Sequence, residues 1–136
     1  MLQTYSKNIV VSTNTDIPFN STSIIKGCTA NKTGISTVTL NKAGVYMLSF
    51  DASVAGNAGG TITVQLSKNG TLVPEAVTSE TAANTTDLHS ISLQTLIQVS
   101  QNNSCKCFDS GTVVSVVNTG VPVTFTQANL VITKLC

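Results

Sequence analysis

Apolar residues recur along this chain with a period of two, and no stripe at helical spacing interrupts them. That is the pattern of half-buried β-strands. In the clearest case, residues 45–55, Tyr46, Leu48, Phe50, Ala52 and Val54 share one face, while Met47, Ser49, Asp51 and Ser53 share the other. The first set is suited to a core. Residues 61–67 place Ile62, Val64 and Leu66 together, Asn69-Gly70 supplies the positive-φ pair of a tight hairpin turn, and residues 72–77 return. Pro74 marks this return strand as an edge or bulge, because proline cannot donate to a ladder. Over residues 88–99, Ile91, Leu93, Ile97 and Val99 alternate with Ser90, Ser92, Gln94 and Gln98. Leu96 alone breaks that pattern, so it is expected to face something other than solvent.

Further strands are expected at 8–12, 23–29, 35–40, 112–117 and 128–135, with residues 17–19 as a short additional candidate. In the last strand, alternation leaves open whether Leu130 and Ile132 or Val131 and Leu135 face the core. The strands alternate with turns and not with helical stretches, which predicts an all-β, two-sheet antiparallel jelly-roll sandwich of about ten strands, with residues 1–136 as one domain. Segments 78–87 and 101–111 are longer and polar, and read as loops. The stretch TGVPVTFTQ reads as the connection between the last two strands.

Composition narrows the partners. Only 10% of the 136 residues are charged, the formal net charge is +1, and every cationic side chain is Lys. Such a chain has no electrostatic footprint for phosphate backbones or anionic lipid, so neither nucleic acid nor a membrane surface is an expected partner. No apolar run approaches the roughly 18 residues that span a bilayer, and the opening MLQTYSKNIVVSTNT has no basic stretch followed by an apolar one. No signal peptide is expected. A location outside a cell would then be reached by lysis or on a particle.

Catalytic signatures are lacking. His89, the single histidine, stands two residues after Asp87, but no nucleophile in a Gly-x-Ser-x-Gly or comparable setting accompanies them. Its expected role is structural, and the chain is not expected to be an enzyme. The carboxylates are scattered singly, which gives no glycosidase pair. Asp51 is the exception: on the Met47 face it could meet its symmetry copies, where like charges need protonation or a cation such as Ca²⁺, although a solvated position is favoured. No catalytic, cofactor-binding or metal-binding residue is assigned. Cys28, Cys105, Cys107 and Cys136 admit two disulfides, free thiols or a thiolate metal site, the last disfavoured because Cys-x-Cys lacks the usual two-residue zinc spacing. In an antiparallel jelly roll the last strand returns to the Cys105/Cys107 end, so Cys136 is expected nearby.

Ile17-Pro18-Phe19-Asn20, Ala43-Gly44-Val45-Tyr46, Lys68-Asn69-Gly70 and the ending Ala128-Asn129-Leu130-Val131-Ile132-Thr133-Lys134-Leu135 follow one another in a telling order. In this order the chain resembles the tumour-necrosis-factor/C1q-like jelly roll over nearly its whole length. It looks most like the C-terminal domains of collagen-like exosporium glycoproteins and related phage-encoded virion proteins. The resemblance implies a ten-stranded jelly roll in a tight homotrimer, used as a knob or surface module. No Gly-X-Y stalk is present, which points to a free-standing trimer docked on a larger particle. Met47, Ser49, Asp51, Gln94 and Leu96 are expected to line the trimer interface, since a threefold contact accounts for two apolar side chains on otherwise polar faces. The role implied is a capsid decoration or head-fibre module on a bacteriophage virion surface, touching a capsid or other virion protein through residues 1–14 or the cysteine-bearing end. The alternative is a receptor- or glycan-binding knob of a tail fibre or bacterial surface appendage, with Phe108 as its exposed aromatic.

Overall fold

A computed structural model describes residues 1–27, 30–56, 60–82, 88–99 and 112–135. These contain strands β1 (Leu2–Val11), β2 (Thr15–Asp16), β3 (Ser21–Ile25), β4 (Ala30–Lys32), β5 (Val38–Leu40), β6 (Gly44–Gly56), β7 (Gly60–Lys68), β8 (Thr71–Ala82), β9 (His89–Val99), β10 (Thr112–Asn118) and β11 (Val123–Lys134). One sheet has the order β3-β1-β11-β6-β9 and the other β4-β5-β10-β7-β8, with β2 added beside β10. From β6 onward the chain crosses between the sheets at every step except the β7-β8 hairpin. Neighbouring strands pair antiparallel throughout, as a jelly roll requires.

Inward faces follow the alternation. Tyr46, Leu48, Phe50 and Val54 of β6 are buried against Ile62, Val64 and Leu66 of β7 and Val114 and Val116 of β10. Phe50 sits between Phe19 and Phe125, with edge-to-face rings at 6.2 and 6.3 Å. The Tyr46 phenol donates to the Lys42 carbonyl at 2.7 Å, and burial raises its pKa above the ordinary value. Asn69 and Gly70 have φ of 52° and 83°, the conformation that a two-residue hairpin turn demands. β8 is an edge strand, and its pairing with β7 shifts register between Gln65 and Ser67, close to Pro74.

The first and last strands pair with each other and change phase together. Lys7 stands opposite Gln127 and Ile9 opposite Phe125, so Asn8 and Thr126 are both extra residues at one place in the ladder. Asn8 takes a φ of 54° there. The inward set therefore switches from Leu2, Thr4 and Ser6 to Ile9 and Val11 in β1, and from Val123 and Phe125 to Ala128, Leu130 and Ile132 in β11. This settles the open phase of the last strand. Leu130 and Ile132 face the core, whereas Val131 looks outward and Leu135 is 52% exposed.

Several expected boundaries are corrected. The first strand begins at Leu2 rather than at residue 8, because Thr4 and Ser6 point inward and are satisfied there. The Thr4 hydroxyl donates to Ser21 O and the Ser6 hydroxyl to Pro18 O, each at 2.7 Å, while Ser6 Oγ accepts from Asn20 N at 2.8 Å. Residues 17–19 are not a strand, yet Ile17 and Phe19 are buried, held by bonds from Ile17 N to Val116 O and from Phe19 N to Ile35 O. Residues 78–82, read as loop, continue β8, where Thr78 pairs with Val64 and Glu80 with Ile62. Residues 123–127, read as connection, belong to β11.

Asn118, fully buried, locks the closing turn. Its Nδ2 donates to the carbonyls of Val11 and Ser12 at 3.3 Å and of Val121 at 3.0 Å, and its Oδ1 accepts from Gly120 N at 3.2 Å. Gly120 lies so close to β7 that a Cβ would sit 2.4 Å from Thr61 O and 2.5 Å from Thr63 N. Asn118→Ala is expected to remove about 2–3 kcal/mol of stability, because buried carbonyls lose their donors. Urea denaturation measures this directly. A loss below about 0.5 kcal/mol would show that the carbonyls find replacement partners.

Candidate functional site

The outward face of the β3-β1-β11-β6-β9 sheet gathers the residues marked out by sequence. Antiparallel register arranges them in rows across the strands. Leu96 stands beside Met47 and Met47 beside Thr133; the next row is Gln94, Ser49, Val131 and Gln3; the third is Ser92, Asp51, Asn129 and Tyr5. All five expected interface residues thus fall on one continuous surface. Leu96 is 63% exposed, and Gln94 Nε2 lies 3.3 Å from Met47 Sδ.

Small side chains make this face concave. Asp51, Ser53, Ser90, Ser92, Gln127 and Asn129 line a depression of about 430 Å³. Gln3 Nε2 donates to Asn129 Oδ1 at 3.3 Å and ties β1 to β11 at its border. Asp51 is exposed and has no ion-pair partner among the described residues. Sequence reasoning missed Gln3, Tyr5, Asn129, Val131 and Thr133 as members of the face. The phase of β11 and its pairing with β1 place them there, and neither is visible in local alternation.

Other expected features fall elsewhere. His89 points inward on the same face as Ile91 and Leu93, as anticipated, and its Nδ1 lies 3.6 Å from Glu80 Oε1 of β8. This contact, together with the Lys68 Nζ bond to Gln98 O at 2.9 Å, joins the two sheets along one side of the sandwich. No signal in the sequence marked Glu80, because residues 78–82 read as loop and only the pairing of β8 with β7 places it there. Asp87, Phe108 and the cysteines Cys28, Cys105, Cys107 and Cys136 lie outside the described residues. Of the other aromatics weighed for a sugar platform, Phe19, Tyr46, Phe50 and Phe125 are buried and Tyr5 is half-buried on the open face. Residues 2–11 form an internal strand between β3 and β11, so they offer a partner only outward side chains such as Tyr5 and Lys7.

Among the described residues, no group of three His, Cys, Asp or Glu side chains is placed to hold a metal ion, and no helix is long and apolar enough to cross a membrane. The face offers hydroxyls, amides, one carboxylate and the apolar side chains of Leu96, Met47 and Val131. Such a set suits contact with another surface.

No family model and no curated protein matches the chain. Solved structures do match. PRD1 vertex protein P5 superimposes with a TM-score of 0.60 over 99% of this chain and 96% of its own, at 17% identity. The globular domain of zebrafish complement 1qA gives 0.61 over 95% and 92%, at 13% identity. Eiger TNF from S. frugiperda gives 0.59 over 99% and 92%, at 15% identity.

The chain has the tumour-necrosis-factor/C1q-like jelly-roll fold.

In this jelly roll the sheet that carries Met47 and Leu96 contains both the first and the last long strands, β1 and β11, at its centre. The outward side chains of these central strands are rigidly spaced by pairing on both sides. At such low identities, the likeness extends to the fold and not to any ligand.

Proposed function

We propose that the protein is a non-enzymatic structural trimer, a module on the surface of a virion such as a bacteriophage capsid decoration or head fibre. The observation that carries this reading is the open sheet face, where Leu96 projects beside Met47 at the end of a concave polar surface. Three copies packed about an axis would cover both apolar side chains and fill the depression with the neighbour's side chains. Ser49, Asp51 and Gln94 then lie within the contact, and Asp51 belongs at its wetter part, where water screens it from its copies. The likeness to PRD1 vertex protein P5 supports a place on a particle, with a capsid or other virion protein as partner.

The test is the solution mass of the full chain by light scattering, with and without reductant. A mass near three times 14.1 kDa in both conditions is expected. A monomer at micromolar concentration would overturn the assembly face. A trimer that reductant dissolves would instead place the joining bonds at the cysteines.

A further inference from the structure

The outward face of the second sheet carries a different groove. It runs along β10, between β2 and β5 on one side and the β7-β8 hairpin on the other, with a volume of about 460 Å³. Two serines form its floor. Ser115 of β10 stands directly opposite Ser67 of β7, and each is only 7% exposed. Neither hydroxyl has a hydrogen-bond partner among the described residues, and both line the groove. Ser115 interrupts a run of valines, Val113, Val114, Val116 and Val117, where a strand centre favours a β-branched side chain. Both hydroxyl oxygens still open onto the groove, so a polar ligand lying in it can pair with them in place of water.

The rim continues the same chemistry. Asp16 of β2, opposite Val117, places at one end a carboxylate that has no hydrogen-bond or ion-pair partner among the described residues. Thr37 and Thr119 add hydroxyls, and Asn14 adds an amide. Leu72, Val113 and Val117 supply apolar surface beside these groups, and no lysine lines the groove. Dense hydroxyl donors and acceptors, one acceptor carboxylate and apolar patches without a cation match a ring that has hydroxyls on its edge and C–H groups on its faces.

We infer that this groove binds a neutral hexose unit of an oligosaccharide, with neighbouring sugar hydroxyls donating to Asp16 and exchanging hydrogen bonds with Ser67 and Ser115. An anionic sugar is rejected, because its carboxylate or sulfate would face Asp16 with no cation to offset it. The volume suits one or two rings, and the shallow site binds each weakly, with Kd on the order of 1 mM per protomer. Several copies in one assembly would raise the avidity. The groove lies on the sheet opposite the assembly face. Failure to bind sugar would therefore leave the trimer intact, and a monomeric mass would leave the groove intact.

An array of neutral, sialylated and sulfated glycans, probed with the full-length protein, tests the inference. Reproducible binding to neutral glycans is expected, and Asp16→Asn and Ser115→Val should each weaken it about tenfold with the solution mass unchanged. Ser115→Ala deletes the hydroxyl without adding volume, and decides the matter if the valine variant fails to fold. Absence of binding above background, equal binding of sialylated glycans, or variants that bind like the intact protein would each overturn the proposal.

Discussion

Phe50→Ala is expected to lower the unfolding free energy by about 3–5 kcal/mol, a large part of what a domain of this size possesses. Phe50 is fully buried and stands at the middle of β6, which is itself flanked by β11 and β9. Its ring touches Phe19 and Phe125 edge-to-face, at interplanar angles of 78° and 83°. Phe19 comes from the segment between β2 and β3, and Phe125 from β11 next to the paired phase change. Removing the central ring thus leaves a cavity and strips both neighbours of an aromatic contact. The surrounding backbone cannot close in, since β6 is held by hydrogen bonds on both sides. Urea denaturation followed by circular dichroism reads the loss as a lower midpoint. A cost under about 1.5 kcal/mol would mean that the core repacks around the gap, and that the three rings do not organise it.

If the proposed trimer forms through this face, Leu96→Lys is expected to leave monomers without unfolding the chain. In one protomer Leu96 is 63% exposed at the outer edge of β9, so a long polar side chain there changes monomer stability by no more than about 0.5 kcal/mol. In a threefold contact the same change removes three buried leucines, at about 2 kcal/mol each, and brings three ammonium groups together. The association constant should fall at least about ten-thousand-fold, enough to convert a micromolar solution from trimer to monomer. Light scattering would then show the mass drop to 14.1 kDa while the thermal unfolding of each chain remains cooperative. An unchanged trimer would place the interface away from β9.

Asp51 makes this face unlike a plain apolar interface. It lies two positions from Ser49 on β6, opposite Ser92 on one side and Asn129 on the other, so every lateral neighbour is neutral and able to donate a hydrogen bond. Water also reaches this exposed carboxylate. The half-buried serines of β6 and the exposed ones of β9 keep the depression wide enough for that.

Local alternation determined much of this protein. The faces of β6, β7 and β9, the Asn69-Gly70 turn and the edge position of β8 follow from which side chains prefer water and which backbone angles each residue permits. The all-β class and the presence of Met47, Ser49, Asp51, Gln94 and Leu96 on common outward faces come from the same rule. Tertiary structure decided what depends on partners distant in sequence. Thr4 and Ser6 point inward because the segment from Pro18 to Ser21 supplies their hydrogen bonds, which a strand read by itself does not reveal. The phase of β11 depends on Thr126 meeting the extra residue at Asn8, more than a hundred positions away. Glu80 meets His89 only because the edges of two sheets come together, and Ser67 faces Ser115 only because β7 lies beside β10. Alternation is set by each side chain's own transfer to or from water, whereas register and the joining of sheets are set by pairs. A single chain read in order contains the first and only half of each pair.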